Sequence, residues 1–406
     1  MYKLLIVSQL LLLSLTSFAQ DQRGISIDER KIFPSQDIDS FGGTVSVSGN
    51  RALVGGNRGG PVNGAGAAYI FEFDGTNWNE TDLLTASDFD FGDEFGTAVS
   101  LLGNRAAISA TEDENGKGAV YIFEFDGNNW VETAKITSDD SLEDDNFGFS
   151  LSLSVDNVMI GAPFHNRSES PLDADTGAAY IYNFNGTIWQ QAIKLSPNSD
   201  VGALFGNSVS LSGNRAVGGA PNDGILSGEP GGSAYVYQFN GTNWIADGTL
   251  KPSDVMDTTG FFGHSVDVSN NRIIVGDYIR SQAYIYERQN NSWNETEIIA
   301  KGGDAFFGYS VRLFGDTAYI GEPNDDNLTG KVYRYSRNGQ DWAENLMFTA
   351  SDGMQADSYG FSLDFDGSNL IIGAPGGNEN NSSRPAAAYL YNFDSIFKNG
   401  FESILN

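Results

Sequence analysis

The 406-residue chain contains no cysteine. That excludes disulfides, thiolate nucleophiles, thiolate metal sites and lipid attachment at a signal-peptide cysteine, so stability must come from packing. Histidine is nearly absent: His165 and His264 are the only two. Neither stands in a recognisable catalytic phrase, which weakens the case for an enzyme, although carboxylates alone can run glycosidic chemistry. Positive charge is short, with 23 Lys+Arg against 53 Asp+Glu and a net charge of −30. Nucleic acid and anionic lipid are therefore excluded as partners, while cations and basic partners stay open. Long apolar runs are missing beyond the N-terminus, so no membrane span is expected. The one apolar stretch, 4–15, follows Lys3 and precedes Ser17-Phe18-Ala19. It reads as a signal peptide, 1–19, cleaved after Ala19, which sends the mature chain to a secreted, cell-surface or periplasmic location.

What the chain does have is a repeated phrase. An aromatic-Gly pair opens a hydrophobic alternation at Phe41-Gly42, Phe95-Gly96, Phe147-Gly148, Phe205-Gly206, Phe262-Gly263, Phe307-Gly308 and Tyr359-Gly360, with spacings of 54, 52, 58, 57, 45 and 52 residues. Periods of this size mark propellers or solenoids. Each copy holds four strand-like runs. The first alternates, as in Thr44-Val45-Ser46-Val47, and ends in a Gly/Asn turn such as Ser48-Gly49-Asn50-Arg51. The second ends on Gly-Ala-Pro or a degenerate form, as at Gly161-Ala162-Pro163. A variable loop leads to the third, typified by Ala179-Tyr180-Ile181-Tyr182, and a turn then leads to the fourth, which opens on tryptophan. All six tryptophans (Trp78, Trp130, Trp189, Trp244, Trp293 and Trp342) hold this one position, which predicts burial between neighbouring sheets.

Four antiparallel strands recurring seven times predict an all-β, seven-bladed β-propeller. The seventh copy stops after its third strand, while 25–34 matches the passage that elsewhere carries the fourth strand into the next repeat. The N-terminal strand is therefore expected to complete the last blade and clasp the ring. The domains expected are the signal peptide 1–19, the propeller 20–393 with repeats starting near 41, 95, 147, 205, 262, 307 and 359, and a C-terminal tail 394–406.

The Phe-Gly opening, the Gly-Ala-Pro ending and the Tyr-Ile-Tyr strand resemble the FG-GAP repeat family, known from the integrin α-chain propeller and from secreted bacterial proteins; the bacterial form is the nearer. In integrin-like members the first hairpin carries an Asp-rich calcium loop. Here that hairpin is Ser-Gly-Asn-Arg or similar, too short to supply six to eight oxygen ligands, so calcium at that position does not carry over.

The first-to-second and third-to-fourth hairpins must share one face of such a ring and are short and uniform. The opposite face collects the variable loops 57–66, 111–118, 164–176, 222–232, 324–330 and 376–385, with much of the acid. On it, Asp88, Asp90 and Asp93 have the alternating oxygens and nearby glycine of a Ca²⁺ loop without completing an EF-hand. The plainer reading is a solvated acidic surface, with recurrent Ser-Asp pairs (Ser87-Asp88, Ser138-Asp139, Ser253-Asp254, Ser351-Asp352) capping inter-blade turns. His264 fills a variable slot two residues after the phenylalanine, where other copies carry Gly43, Thr97, Phe149, Asn207, Tyr309 and Phe361. The functional expectation is an exported, non-catalytic, monomeric binding or adhesion module with an extracellular protein or glycan as partner. The alternative is a carbohydrate-active protein, either a lectin or a hydrolase or lyase using paired carboxylates.

Overall fold

The structure is a computed structural model and describes residues 18–20, 26–36, 38–60, 64–166, 175–229, 231–254, 259–303, 306–377 and 386–393. The signal-peptide reading, apart from 18–20, and the tail 394–406 lie outside them. Seven antiparallel sheets follow one another around an axis. Blade 1 comprises Thr44–Ser48, Arg51–Gly56, Ala67–Phe73 and Trp78–Leu84, counted from the axis outward. Blade 4 comprises Ser208–Ser212, Arg215–Ala220, Ser233–Phe239 and Trp244–Leu250. The first hairpin turns in two residues, Ser48 facing Arg51, because Gly49 and Asn50 accommodate the tight reversal.

In blade 7 the chain provides only Ser362–Phe365, Asn369–Ala374 and Ala387–Asn392. The fourth strand is Ser26–Ile32, from the other end of the molecule, with Glu29, Arg30, Lys31 and Ile32 opposite Tyr391, Leu390, Tyr389 and Ala388. Phe18–Gln20 adds a fifth, outermost strand. The expected clasp is present.

The hydrophobic core is divided into seven clusters, each lying between two adjacent blades. The cluster that joins the ends of the chain sets Ile32, Ile371, Ala388 and Leu390 against Phe41, Val45, Tyr69 and Trp78. Phe41 stacks edge-on against Tyr69, a contact repeated by Phe95 with Tyr121 and Phe147 with Tyr180. The Phe-Gly glycine has a physical reason here. Gly42 has φ +83°, and a Cβ on it would come within 2.5 Å of the Ala387 carbonyl of blade 7. Gly373, of the blade 7 Gly-Ala-Pro, in turn presses on the Gly42 carbonyl. Two glycines per blade, or one in blade 2 where Ser109 takes the second place, thus let neighbouring backbones interlock. Trp78, Trp130, Trp189 and Trp244 pack on a phenylalanine of their own blade, and Trp130, Trp189, Trp293 and Trp342 take an arginine from the first hairpin of the preceding blade, as Trp130 does from Arg51.

Candidate functional site: the loop face and the axis

The inner strands run from the loop face to the hairpin face, so each register position after the phenylalanine forms a ring around the axis. The fifth position carries Ser46, Ser100, Ser152, Ser210, Asp267, Arg312 and Asp364. Each serine oxygen accepts the backbone N–H that follows the ring residue of the next blade: Leu101 to Ser46 (3.0 Å), Leu153 to Ser100 (3.1 Å), Leu211 to Ser152 (2.9 Å) and Val268 to Ser210 (3.2 Å). Asp267 accepts from Leu313 (2.7 Å), and Asp364 accepts from Val47 (2.9 Å), which closes the circle from last blade to first. Arg312 has no acceptor. The Phe365 N–H is taken instead by its neighbour Asp364 (2.8 Å), and Arg312 donates Nε to the Phe365 carbonyl (3.3 Å).

Arg312 also pairs with both carboxylates, at 3.3 Å from Asp267 and 2.9 Å from Asp364. Burial raises the pKa of Asp267, against the pull of Arg312 and the hydrogen bonds from Ser210 and Leu313. Below this belt an axial cavity of about 820 Å³ extends to the hairpin face, lined by the ring residues and by Asn50, Asp366 and Asn369. The belt escaped the sequence reading, although its signal was present as a serine or charge always five residues after the aromatic.

At the loop-face end, the second position forms another ring. Its blade 5 to 7 members stack in series: His264 on Tyr309 with centroids 4.7 Å apart, and Tyr309 on Phe361 at 4.8 Å. Tyr278 packs behind them, 4.6 Å from His264, and Phe306 packs on Tyr278. Burial lowers the His264 pKa to about 4 and raises that of Tyr309 to about 12. The arc borders a cavity of about 330 Å³ that Gly43, Thr97, Asn57, Arg58, Ser358 and Phe361 line across the closing seam. Half the ring is thus aromatic and half small or polar, on the face where the variable loops gather.

The acidic residues of that face are mostly spoken for. Asp88 accepts from Tyr121 (2.8 Å) and Lys135 (2.8 Å). Burial works to raise its pKa, but these bonds hold it below the usual carboxylate range. Asp93 accepts the Asp90 N–H (2.5 Å), and burial, the largest influence, leaves its pKa raised. Asp90 and Asp93 share one turn while Asp88 is engaged by Tyr121 and Lys135, and among the described residues no three of His, Cys, Asp and Glu cluster as a metal would need.

The Ser-Asp pairs tie blades together. Ser87 bonds Glu132 through N (2.9 Å) and Oγ (2.8 Å), as Ser253 does Glu295, and Asp352 accepts from Tyr389 and Lys31. In blade 3 the role falls to Asp140 rather than Asp139, with Tyr180 at 2.9 Å and Lys194 at 2.6 Å. His165 is buried, with Nδ1 2.7 Å from Asp145 and Nε2 2.7 Å from Lys194. It is a bridging residue inside the scaffold.

A family model described as FG-GAP repeat matches residues 29–71, 78–123, 130–182, 189–237 and 342–391. The chain belongs to the FG-GAP repeat family. Each match starts in the fourth strand of one blade and ends in the third strand of the next. The first FG-GAP match therefore begins in the clasp strand, where the structure also places the end of the ring. The FG-GAP repeats outside the matched spans, between 237 and 342, carry His264, Tyr278, Phe306, Tyr309 and Arg312. No curated protein matches the chain.

Proposed function

We propose that the chain is an exported, non-catalytic binding or adhesion module that offers its loop face to an extracellular protein or glycan. One observation carries this reading: the stacked arc of His264, Tyr309 and Phe361 beside a 330 Å³ cavity, set on seven interlocked blades. Preformed concave sites that combine aromatic faces with a few polar groups suit recognition, and variable residues on a rigid frame are where binding usually resides. The leader-like N-terminus supports export. The same arc favours the second reading, a lectin, because aromatic rings offer flat apolar faces to sugar rings. The paired carboxylates of the belt suit a hydrolase less well, since Asp267 and Asp364 are both held by Arg312.

The test is a binding screen of the chain 20–406 against extracellular protein and glycan panels, repeated with Tyr309→Ala/Phe361→Ala. The expected outcome is a hit that the double variant weakens by about tenfold or more, as loss of central aromatic contacts does, with the melting temperature little changed. A hit unaffected by the double variant refutes the arc as the site.

A further inference from the structure

The repeat places a cation over the third-strand tyrosine in four blades. Lys135 lies over Tyr121 with its ammonium 5.2 Å from the ring centroid, Lys194 over Tyr180 at 5.6 Å, Lys31 over Tyr389 at 5.0 Å and Lys301 over Tyr333 at 4.2 Å. In blades 2, 3 and 7 the lysine is the direct cross-strand partner of the tyrosine. In blades 1, 5 and 6 that position holds the apolar residues Leu83, Ile298 and Met347. Blade 4 differs from all of these. Thr249 faces Tyr235, and its neighbour is Gly248 where blade 3 has Ile193. The space left is a cavity of about 590 Å³ on the loop face, between the third and fourth strands and the connection from blade 3.

One of the two acids that pair with the lysine in blade 2 has a counterpart in blade 4. In blade 2, Lys135 pairs with Asp113, 2.9 Å away, as well as with Asp88. Asp223 stands at the Asp113 position of blade 4, two residues after Pro221. It is buried, accepts the Tyr235 hydroxyl (2.6 Å) and the Asp200 N–H (2.9 Å), and pairs with no lysine among the described residues. Beside it, Asp200 has a buried Oδ2 with no hydrogen-bond partner among the described residues. Lys251 lines the cavity but is exposed and pairs with neither carboxylate. The site thus keeps the tyrosine face and the Asp113-position carboxylate of the blade 2 lysine site, lacks the lysine and the carboxylate of the Asp88 position, where Ser199 stands, and sets Asp200 nearby.

The geometry points to a binding site for an alkylammonium group, which enters the blade 4 cavity, lies over Tyr235 and meets Asp223 and Asp200. An amine so placed makes the charge-assisted and cation–π contacts that Lys135 makes in blade 2. This deepens the proposed binding function by naming a basic partner, consistent with the net charge of −30, yet it rests on a different cavity from the aromatic arc.

The test is titration of the whole mature chain with n-butylamine and, as control, n-butanol, followed by calorimetry or tyrosine and methyl NMR shifts. Saturable amine binding at least tenfold stronger than that of the alcohol is expected. Thr249→Lys restores the sister blades' own plug and should abolish amine binding by tenfold or more while keeping or raising the melting temperature. Asp223→Asn, which retains an acceptor for Tyr235, provides a second variant with the same expected loss should Thr249→Lys fail to fold. Equal binding of amine and alcohol, or undiminished amine binding in the folded variants, overturns the proposal. A Gly-Lys-Gly peptide binding more tightly than butylamine assigns the amine to a protein partner's lysine, and equal affinity assigns it to a free amine; both support the site. Thr249→Lys leaves the aromatic arc intact, so failure here and failure of the loop-face reading are separately visible.

Discussion

A ring of serines needs no charge to close, since each hydroxyl both accepts and donates. The belt of this propeller departs from that pattern at Asp267, Arg312 and Asp364. Removing the arginine leaves two close carboxylates, one of them buried, without their common partner. Arg312→Ala is expected to cost about 2–4 kcal/mol, below the full figure for a buried pair because Arg312 faces the channel. Urea unfolding measures it, and the triple variant Asp267→Ser/Arg312→Ser/Asp364→Ser should recover most of the loss by restoring the neutral belt. His264 carries a pH signature. Its pKa falls from 6.5 to about 4 through burial among aromatic rings, so the unfolded chain binds the proton more readily than the folded one. Stability from this residue is complete above pH 6.5 and is lost as pH falls through about 4. Melting temperatures between pH 7 and 4 should show that decline, and His264→Phe should flatten it.

Among the elements, the clasp strand Ser26–Ile32 decides whether the ring is shut. It supplies the missing edge of blade 7 and buries Glu29, which accepts from Tyr391 (2.8 Å) and Ser351 (2.6 Å). Ile32 joins the cluster between the last and first blades. Deleting 24–36 exposes a strand edge and strips that cluster, so the melting temperature should drop by on the order of 10 °C, the equivalent of several kcal/mol in a chain of this size. An unchanged melting temperature would sink the clasp as a stabilising element. The strand was legible beforehand because it copies the fourth-strand passage of the other repeats, and the two-residue hairpins were legible from Gly and Asn. The belt was not: alternation predicts that the fifth position faces the axis, but which backbone N–H its oxygen meets depends on the neighbouring blade.

For the whole molecule, charge and shape combine. A surface with this excess of acid attracts divalent cations in general, yet Asp88 is held by Lys135 and Tyr121, and Asp93 by the turn it caps. Thermal unfolding of the mature chain in EDTA and then in millimolar Ca²⁺ should therefore give the same midpoint. A saturable rise would instead identify a site that orders on metal binding.

Seven copies of an aromatic-Gly pair, the six tryptophans in register and the displaced fourth strand were enough to specify a closed seven-bladed ring, because blade geometry is encoded locally and repeated. The faces followed from topology alone, and so did the side on which the acidic loops lie. What only the tertiary structure decided is which residues meet across strands, loops and blades: Asp140 with Lys194 and Tyr180, His165 between Asp145 and Lys194, Arg312 between Asp267 and Asp364, and Thr249 opposite Tyr235. These partners lie up to about one repeat apart in sequence, and their meeting depends on how the loops fold back on their own blade and, for Arg312, on how one sheet is set against the next.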